Sequence, residues 1–250
     1  MNVLILAAGY ATRLYPLTLN KAKPLLEVAG KPMIEWVLDH LAPIPGIGAV
    51  YVVTNDKFTR DFEEWAKNYA KSQPKMKFKI VNDGSRSDAD KLGAIGDIHL
   101  VLEREKLTDE PLIVVAGDNL FSEPLTDFAA SARGSLATLA TYDVGDLEAM
   151  KKYSAITIDA DGIITHFEEK PTKPETTLSG IALYYFSPAA LKLFANYIAE
   201  GNNPDQPGRF IQWLHTRQPV KTHQISGTWY DIGSKETLAE ANRIFARFAR

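Results

Sequence analysis

The chain has no cysteine among its 250 residues. This absence excludes disulfide bonds, thiolate metal sites and cysteine nucleophiles. The chain also lacks an excess of basic residues, because its formal net charge is −3. That balance argues against a general nucleic-acid-binding surface, which needs a clustered basic face. A small anion held in a local basic pocket remains compatible with it.

Long apolar runs are missing as well. No stretch approaches the ~18–20 apolar residues that a membrane span needs. No basic segment precedes the first apolar run, so we do not expect a signal peptide. We therefore expect a cytoplasmic protein. Hydrophobic residues make up 45% and charged residues 24% of the chain, which is typical of a globular protein with a sizeable core.

The most informative stretch that is present begins at residue 4. An apolar run over residues 4–8 predicts a buried strand, which stops at Gly9 and is followed by Thr12, Arg13 and Lys23. Glycine allows close backbone approach, while arginine and lysine bind phosphate oxygens. The stretch matches neither the P-loop nor the Gly-x-Gly-x-x-Gly pattern. We interpret it as a polyphosphate-binding loop; the alternative is a surface loop with solvated cations.

The fold class follows from alternating apolar runs and helical patterns. Strands are predicted over residues 4–8, 49–54, 77–81 and 112–116, with helices between them. This alternation predicts an α/β fold with a Rossmann-like mixed, mainly parallel sheet flanked by helices. Further strands are predicted over residues 136–142, 153–158, 163–167 and 181–186, with Asp161-Gly162 as a hairpin turn. A last helix carries Ile244, Phe245 and Phe248, which could cover the chain's own core or a neighbour.

Carboxylates at predicted strand ends are candidate metal ligands. Ligands of parallel sheets bind beyond the carboxyl ends of the strands, where Gly9, the loop from Asn82 and Asp118 should converge. Asp118 and Asp231 suit Mg²⁺, which takes oxygen ligands and shares them with substrate phosphates. The alternative for each is a turn or a helix cap, although Ser234 is the better-placed cap for the last helix.

A charged run closes the predicted hairpin. Glu169 could accept sugar hydroxyls, and Lys170, which precedes Pro171, could bind a phosphate. The alternative is a charged turn at the edge of a sheet.

Ordered landmarks give the chain a resemblance to a known family. They are Leu6-Ala7-Ala8-Gly9-Tyr10-Ala11-Thr12-Arg13-Leu14 with Lys23-Pro24-Leu25 and Gly30-Lys31-Pro32-Met33-Ile34, then Gly117-Asp118-Asn119, Glu169-Lys170-Pro171, Ser179-Gly180-Ile181 and Trp229-Tyr230-Asp231-Ile232-Gly233. In this order they resemble the sugar-1-phosphate nucleotidylyltransferases, such as glucose-1-phosphate thymidylyltransferases and uridylyltransferases.

The resemblance implies a role for each matching position. Arg13, Lys23 and Asp118 would be catalytic, and Asp118 with Asp231 would hold Mg²⁺. The nucleotide-binding positions would be Leu6, Ala7, Ala8, Gly9, Thr12, Arg13, Lys23, Gly84 and Ser85. The sugar-phosphate-binding positions would be Asn119, Ser154, Glu169, Lys170, Ser179 and Gly180. A single nucleotidyltransferase domain over residues 1–250 is expected, with a nucleotide-binding half (1–135), a sugar-phosphate-binding half (136–233) and a C-terminal helix (234–250).

The implied reaction joins a nucleoside triphosphate to a sugar 1-phosphate and releases pyrophosphate, by Mg²⁺-assisted in-line attack on the α-phosphorus. The attacking oxygen is already anionic, so positioning and charge neutralisation suffice, and we interpret the five histidines as structural. A cytidylyltransferase acting on an alcohol phosphate such as phosphocholine and a non-catalytic nucleotide-sugar sensor are the alternatives. The partners would be small molecules, neither nucleic acid nor membrane; a homo-oligomer is expected from the resemblance only.

The chain departs from the family in two places. The loop from Asn82 to Asp97 is longer and more acidic than the Gly-Thr-type loop with which the family reads the base; Gly84 and Ser85 would stand for that pair. Ser154 follows Tyr153 where many members have Tyr-Gly beside the sugar, so a hydroxyl is added or the pocket is narrowed. The base and the sugar both stay open.

Overall fold

The computed structural model describes residues 1–249, which group into two units. The first unit comprises Met1–Lys91, Val115–Thr126 and the chain from Ser226 onward. The second comprises Leu92–Val114 and Asp127–Ile225. The chain therefore leaves the first unit twice and returns to it twice. The expected halves over residues 1–135 and 136–233 stay a prediction.

Short strands and helices alternate along the chain. The strands are β1 (Asn2–Leu6), β2 (Glu27–Val28), β3 (Lys31–Pro32), β4 (Ala49–Thr54), β5 (Lys77–Asn82), β6 (Leu112–Ala116), β7 (Asn119–Phe121), β8 (Ala137–Asp143), β9 (Ser154–Ile158), β10 (Ile164–Glu169), β11 (Leu178–Phe186), β12 (Lys221–Gln224) and β13 (Trp229–Asp231). The helices are α1 (Met33–Leu41), α2 (Thr59–Ser72), α3 (Ala94–Glu105), α4 (Thr126–Ala132), α5 (Leu147–Met150), α6 (Pro188–Leu191), α7 (Leu193–Ala199), α8 (Gly208–Leu214) and α9 (Lys235–Phe245). Within residues 1–249, no helix is long and apolar enough to cross a membrane.

Parallel strands β1, β4 and β5 pair with one another in the first unit. Val3 of β1 pairs with Val50 of β4, and Thr54 of β4 pairs with Asn82 of β5. The inner residues of β1 are fully buried, as expected where both faces of a parallel strand are covered. Because the three strands run in one direction, the loops that follow them lie at one edge of the sheet.

Helix α9 packs on the core of the first unit. The Ser234 side chain accepts a hydrogen bond from the Thr237 backbone N–H and caps the helix, as predicted. The Phe245 ring is fully buried and lies 5.3 Å from the Trp36 ring, centroid to centroid, in an edge-to-face contact. Burying a phenylalanine contributes about 1.5–3 kcal/mol. Phe245 therefore covers the chain's own core, which is one of the two roles that the sequence left open.

Antiparallel pairing dominates the second unit. Its strands follow the order β10–β9–β11–β8–β12, and of these neighbours only β8 and β12 run parallel. The predicted hairpin joins β9 to β10, with Gly162 at a φ of 75° and the Asp159 carboxylate accepting from the Asp161 and Ile163 N–H groups. The predicted α/β class, with a mixed sheet flanked by helices, is confirmed.

Candidate active site

The loop after β1 turns through a left-handed residue. Ala11 has a φ of 48° and a ψ of 44° and begins a 3-10 turn over Thr12–Leu14. A left-handed conformation costs a residue with a Cβ about 1–2 kcal/mol. The Thr18 hydroxyl, which donates to the Ala11 carbonyl at 2.9 Å, helps to hold the turn. Thr12 and Arg13 are exposed at this turn, where their side chains are accessible to a ligand.

Lys23 and Asp118 meet beside this loop. Lys23 begins a second 3-10 turn, and Asp118 follows β6 by two residues. The Lys23 Nζ lies 2.5 Å from the Asp118 Oδ2. The Gly117 N–H donates to the Leu6 carbonyl at 3.0 Å, which fixes the end of β6 against the end of β1. The structure thus brings together two of the three predicted catalytic residues.

A pocket of about 140 Å³ opens at this point of the first unit. Its lining combines the predicted nucleotide loop with the ion pair: Leu6, Ala7, Gly9, Ala11, Lys23, Pro24 and Asp118. A Cβ placed on Gly117 would lie 3.1 Å from Ile5 and Pro24 side-chain atoms. Glycine at this position therefore allows these side chains to pack directly against the backbone. The volume suits a phosphate-sized group next to a cation and a carboxylate.

The side chains of Arg13 and Asp231 both lie beside Gly233, just before α9 begins. A Cβ placed on Gly233 would lie 3.8 Å from both the Arg13 Nη1 and the Asp231 Oδ2. Asp231 pairs with Asn119 where β13 runs antiparallel to β7. Because Asp118 directly precedes Asn119, this pairing brings the segments of the two predicted metal ligands side by side.

The chemistry of this donor set fits a magnesium ion that is shared with a substrate. Within residues 1–249 no group of three or more histidine, aspartate or glutamate side chains is placed to hold a metal. The two oxygens of Asp118 accept hydrogen bonds from Lys23 and from Asn119 Nδ2, at 2.5 and 3.1 Å. Mg²⁺ in phosphate-transfer sites is commonly held by one or two carboxylates plus phosphates and waters. Asp118 and Asp231 could supply the carboxylates.

The loop after β5 lies at the same edge of the first unit. The Asp56 N–H donates to the Ser85 carbonyl at 2.9 Å, and the Asn55 Nδ2 donates to the Ala8 carbonyl at 2.9 Å. Residues 55–56 therefore join the loop that carries Gly84 and Ser85 to the loop that follows β1. The predicted convergence of these strand ends is confirmed.

Ser85 itself is turned inward. It is 3% exposed, and its hydroxyl and N–H donate to the Asp83 carboxylate at 2.7–2.9 Å. The buried Tyr10 hydroxyl lies close to this pair; burial raises the pKa of Tyr10, and the Asp83 charge adds to the effect. Further along the loop, hydrogen bonds from Ser87 and Arg86 lower the pKa of Asp90. The Asp83 and Asp90 carboxylates therefore hold this loop in shape by accepting hydrogen bonds from its own residues.

Two of the predicted sugar-phosphate residues meet in the second unit. Ser154 of β9 pairs with Glu169 of β10, and its hydroxyl donates to the Glu169 carboxylate. Gly180 of β11 pairs with Ser154 on the other side. Ser179 is fully buried, with its hydroxyl on the Gly180 carbonyl at 3.0 Å. Lys170 is exposed in a left-handed conformation at a φ of 51°.

Asn119, the remaining residue of that set, lies in the first unit. It is 3% exposed. Its Nδ2 donates to Asp118 Oδ1 at 3.1 Å, and its Oδ1 accepts from Trp229 Nε1 at 2.8 Å. Asn119 therefore orients the Asp118 carboxylate in this structure.

Comparison with known proteins decides the family. The sequence pattern of the nucleotidyl transferase family matches residues 2–247. The chain belongs to this family. The predicted family is thereby confirmed.

Curated relatives resemble this nucleotidyl transferase over nearly its whole length. It is 25% identical to the bifunctional protein GlmU of Methanocaldococcus jannaschii over 243 residues, which cover 97% of the chain and 54% of that protein. It is 27% identical to a glucose-1-phosphate thymidylyltransferase of Streptomyces griseus over 253 residues, which cover 98% of the chain and 66% of that protein. The chain thus spans between about half and two thirds of the length of these relatives.

Solved structures share the fold. A crystal structure of UDP-glucose pyrophosphorylase with UDP-glucose has a TM-score of 0.82, at 24% identity, with 99% of both chains covered. The apo form of a UDP-glucose pyrophosphorylase gives a TM-score of 0.80 at 23% identity, with 98% of both chains covered.

Three polar residues around the first loop of this nucleotidyl transferase were not predicted as site residues. Asn55 bridges strand ends, Asp83 holds Ser85, and Tyr10 places a buried hydroxyl beside them. For Asn55 the signal was available, because it directly follows the buried strand β4, much as Asp118 comes two residues after β6. Asp83 and Tyr10 had no such signal, since their contacts depend on how two loops pack.

Proposed function

We propose that this chain transfers a nucleotidyl group from a nucleoside triphosphate to a sugar 1-phosphate, giving a nucleoside diphosphate sugar and pyrophosphate. The observation that carries the proposal is the Lys23–Asp118 pair in the pocket beside Gly9, in a chain of the nucleotidyl transferase family. A cation and a carboxylate at a glycine-containing loop are what a triphosphate and its metal require. The names of the curated relatives agree with this chemistry.

Binding of the triphosphate would involve the loop over residues 7–14. The exposed Gly9 offers its backbone, and Thr12 and Arg13 offer a hydroxyl and a guanidinium beyond it. Lys23 is the cation already inside the pocket. Gly84 and Ser85, joined to this loop through residues 55–56, are proposed to lie near the base.

The chemical step would need positioning more than proton transfer. A phosphate oxygen of the sugar 1-phosphate attacks the α-phosphorus, the bond from that phosphorus to the bridging oxygen breaks, and pyrophosphate leaves with its electron pair. Arg13 and Lys23 would neutralise the negative charge that develops on the transferring group. Asp118 and Asp231 would hold Mg²⁺, which supplies further neutralisation of the phosphates when it is bound.

The sugar 1-phosphate is proposed to contact the second unit. The Glu169 carboxylate, which Ser154 orients by a hydrogen bond, would accept a sugar hydroxyl. The exposed Lys170 would bind the phosphate. An ionised carboxylate accepts hydrogen bonds through both of its oxygens, and a few such polar groups orient a ligand in its site. We also propose that the protein acts in the cytoplasm and forms a homo-oligomer, as the sequence analysis expects.

A screen for pyrophosphate release tests the proposal. Five nucleoside triphosphates are combined with a panel of sugar 1-phosphates and with alcohol phosphates such as phosphocholine, each with Mg²⁺. Release with a sugar 1-phosphate is expected. Release only with an alcohol phosphate would favour the cytidylyltransferase alternative, and nucleotide-sugar binding without release from any pair would favour a sensor.

Two variants locate the activity in the described pocket. Lys23→Ala should lower the rate by roughly 10²-fold or more, because charge-stabilising groups contribute several kcal/mol to a transition state. Lys71→Ala is the matched control, because Lys71 is an exposed residue of α2. Equal rates in the two variants would refute the assignment of Lys23.

A further inference from the structure

A row of three residues crosses three strands of the second unit. Gly180 of β11 pairs with Ser154 of β9, and Ser154 pairs with Glu169 of β10. Directly paired residues of antiparallel strands present their side chains on one face of the sheet. Ser154 is thus the middle of the row, and its hydroxyl donates to the Oε2 of Glu169.

Gly208, the first residue of α8, is buried against this row. A Cβ placed on it would lie 2.9 Å from the Glu169 Oε2 and 3.3 Å from the Ser154 Oγ. It would also lie 3.1 Å from the ring of Phe167. The φ of Gly208 is not in the left-handed region, so space rather than backbone conformation is what glycine provides here.

The other end of the row is equally close-packed. A Cβ on Gly180 would lie 2.7 Å from the Leu139 Cδ2 and 3.5 Å from the Phe167 ring. Protein interiors packed to this density do not widen to admit an added group without strain. The side chain of Ser154 therefore occupies a space whose walls are fixed on both sides.

The hydrogen bond from Ser154 also limits which oxygen of Glu169 can accept from a ligand. A serine hydroxyl has one proton, and donation to Oε2 leaves its own oxygen as an acceptor. Oε2 is then engaged and crowded by Gly208, so a sugar hydroxyl has Oε1 as its acceptor. The Glu169 charge, after the larger effect of burial, raises the pKa of the neighbouring Tyr184. Tyr184 stays a neutral phenol beside the carboxylate.

We propose that Ser154 is a specificity-determining residue, held in place by Glu169 and Gly208, which selects sugar 1-phosphates with a free hydroxyl over those with an acylamino group at the same ring position. This inference rests on the proposed function. The serine side chain fills the space that the larger acyl group would need, while the Ser154–Glu169 pair retains acceptors for a hydroxyl.

Paired variants separate the volume of Ser154 from its hydrogen bond. Ser154→Gly removes the whole side chain, and Ser154→Ala removes the hydroxyl with its hydrogen bond but keeps the β-carbon that bars the larger group. Calorimetric titration measures the binding of glucose 1-phosphate and N-acetylglucosamine 1-phosphate, and of their uridine and thymidine diphosphate sugars. We expect wild type to prefer the hydroxyl sugar by about 10-fold or more, within the range that pocket size supplies. Ser154→Gly should reduce that preference about 10-fold, and Ser154→Ala should keep it.

Two further variants guard against a general loss of structure. Gly208→Ala should weaken the binding of both sugars, because its methyl group displaces the Glu169 carboxylate, and should lower the melting temperature, because it also crowds the Phe167 ring. Its affinity for free triphosphate should stay near wild type, which shows that the first unit remains folded. Ser72→Ala on α2, in the first unit, should change none of these quantities.

The outcomes distinguish this inference from the proposed function. Equal binding of the two sugars by wild type, or an unchanged preference in Ser154→Gly, overturns the selectivity of Ser154 even if pyrophosphate is released. Selective binding that Ser154→Gly abolishes, without pyrophosphate release from any pair, supports the selectivity and overturns the transferase function. Failure to bind any of the sugars or nucleotide sugars overturns both.

Discussion

The Lys23 Nζ lies 2.5 Å from the Asp118 Oδ2, and the two side chains are only 12% and 25% exposed. The ammonium therefore occupies one oxygen of the carboxylate that we propose as a metal ligand. The other oxygen accepts from Asn119. A divalent cation that binds Asp118 has to compete with a cation of the protein itself, at short range and with little water to screen the competition.

Removing the charge of Lys23 should strengthen metal binding to the nucleotide-free protein. We expect Lys23→Met to raise the affinity for Mn²⁺ by about 10-fold, because one ion pair at this degree of burial is worth on the order of 1–2 kcal/mol. Electron paramagnetic resonance of free Mn²⁺ gives the affinity without any catalytic turnover. Lys71→Met is the control and should bind like wild type. Equal affinities of Lys23→Met and wild type would show that Lys23 does not compete for this carboxylate.

Gly93 is predicted to be essential for stability in the second unit. Its φ is 80°, and a Cβ would lie 2.6 Å from the Pro204 carbonyl oxygen, where the Ile95 N–H donates at 2.8 Å. Gly93→Ala should lower the free energy of unfolding by roughly 3 kcal/mol or more, because backbone strain and overpacking add. Urea denaturation measures the change.

Gly134→Ala provides the matched comparison. Gly134 also has a positive φ, 83°, but no atom lies within 4 Å of its Cβ position. It should therefore lose only about 1 kcal/mol, from the left-handed conformation itself. If the two variants lose equal stability, the contact with Pro204 makes no contribution.

Three half-buried histidines predict a stability that falls in mild acid. Burial lowers the pKa of His223, and Asp127 and Lys221 are the charged groups that act on it, in opposite directions. Burial also lowers the pKa of His40 and of His215. A histidine whose pKa is depressed in the folded state takes up its proton more readily when unfolded. Its contribution is therefore complete above the unfolded pKa, about 6.5, and is lost as pH falls through the folded value.

Replacing His223 should flatten this dependence. The Ser131 hydroxyl donates to the Phe128 carbonyl and lies 2.9 Å from the His223 Nδ1. Asparagine can keep a donor near that position. We expect His223→Asn to reduce the pH slope of the unfolding free energy between pH 7 and 5 by up to ~1.4 kcal/mol per pH unit. His166→Asn, at an exposed position, serves as control. An unchanged slope in His223→Asn would contradict the effect of burial.

Much of the fold could be predicted because its signals are local. The run that forms β1 and the one that forms β6 are apolar on both faces, as buried parallel strands require. The capping serine of α9 was identified from its position before a helical pattern. The start of helix α3 was harder to predict from the sequence. Its first N–H groups donate to the carbonyls of Pro204 and Asp205, which lie far along the chain.

The candidate site likewise combines residues that the sequence could identify with contacts that it could not. The sequence identified Gly9, Lys23 and Asp118 as candidates, and the pocket contains all three. It treated Ser85 as a nucleotide contact without indicating that Asp83 holds its hydroxyl. It treated Ser154 and Glu169 as separate sugar contacts without indicating that they bond to each other.

By itself the sequence determined the fold class, the family and the residue types available at each strand end, because periodicity, turn chemistry and motif order are properties of short segments. Only the tertiary structure decided which of those residues act as pairs. Lys23 and Asp118 are 95 residues apart in the chain, and Ser154 meets Glu169 through strand register and Gly208 through the packing of a helix on that sheet. Such contacts depend on the packing of distant segments, which no local pattern encodes.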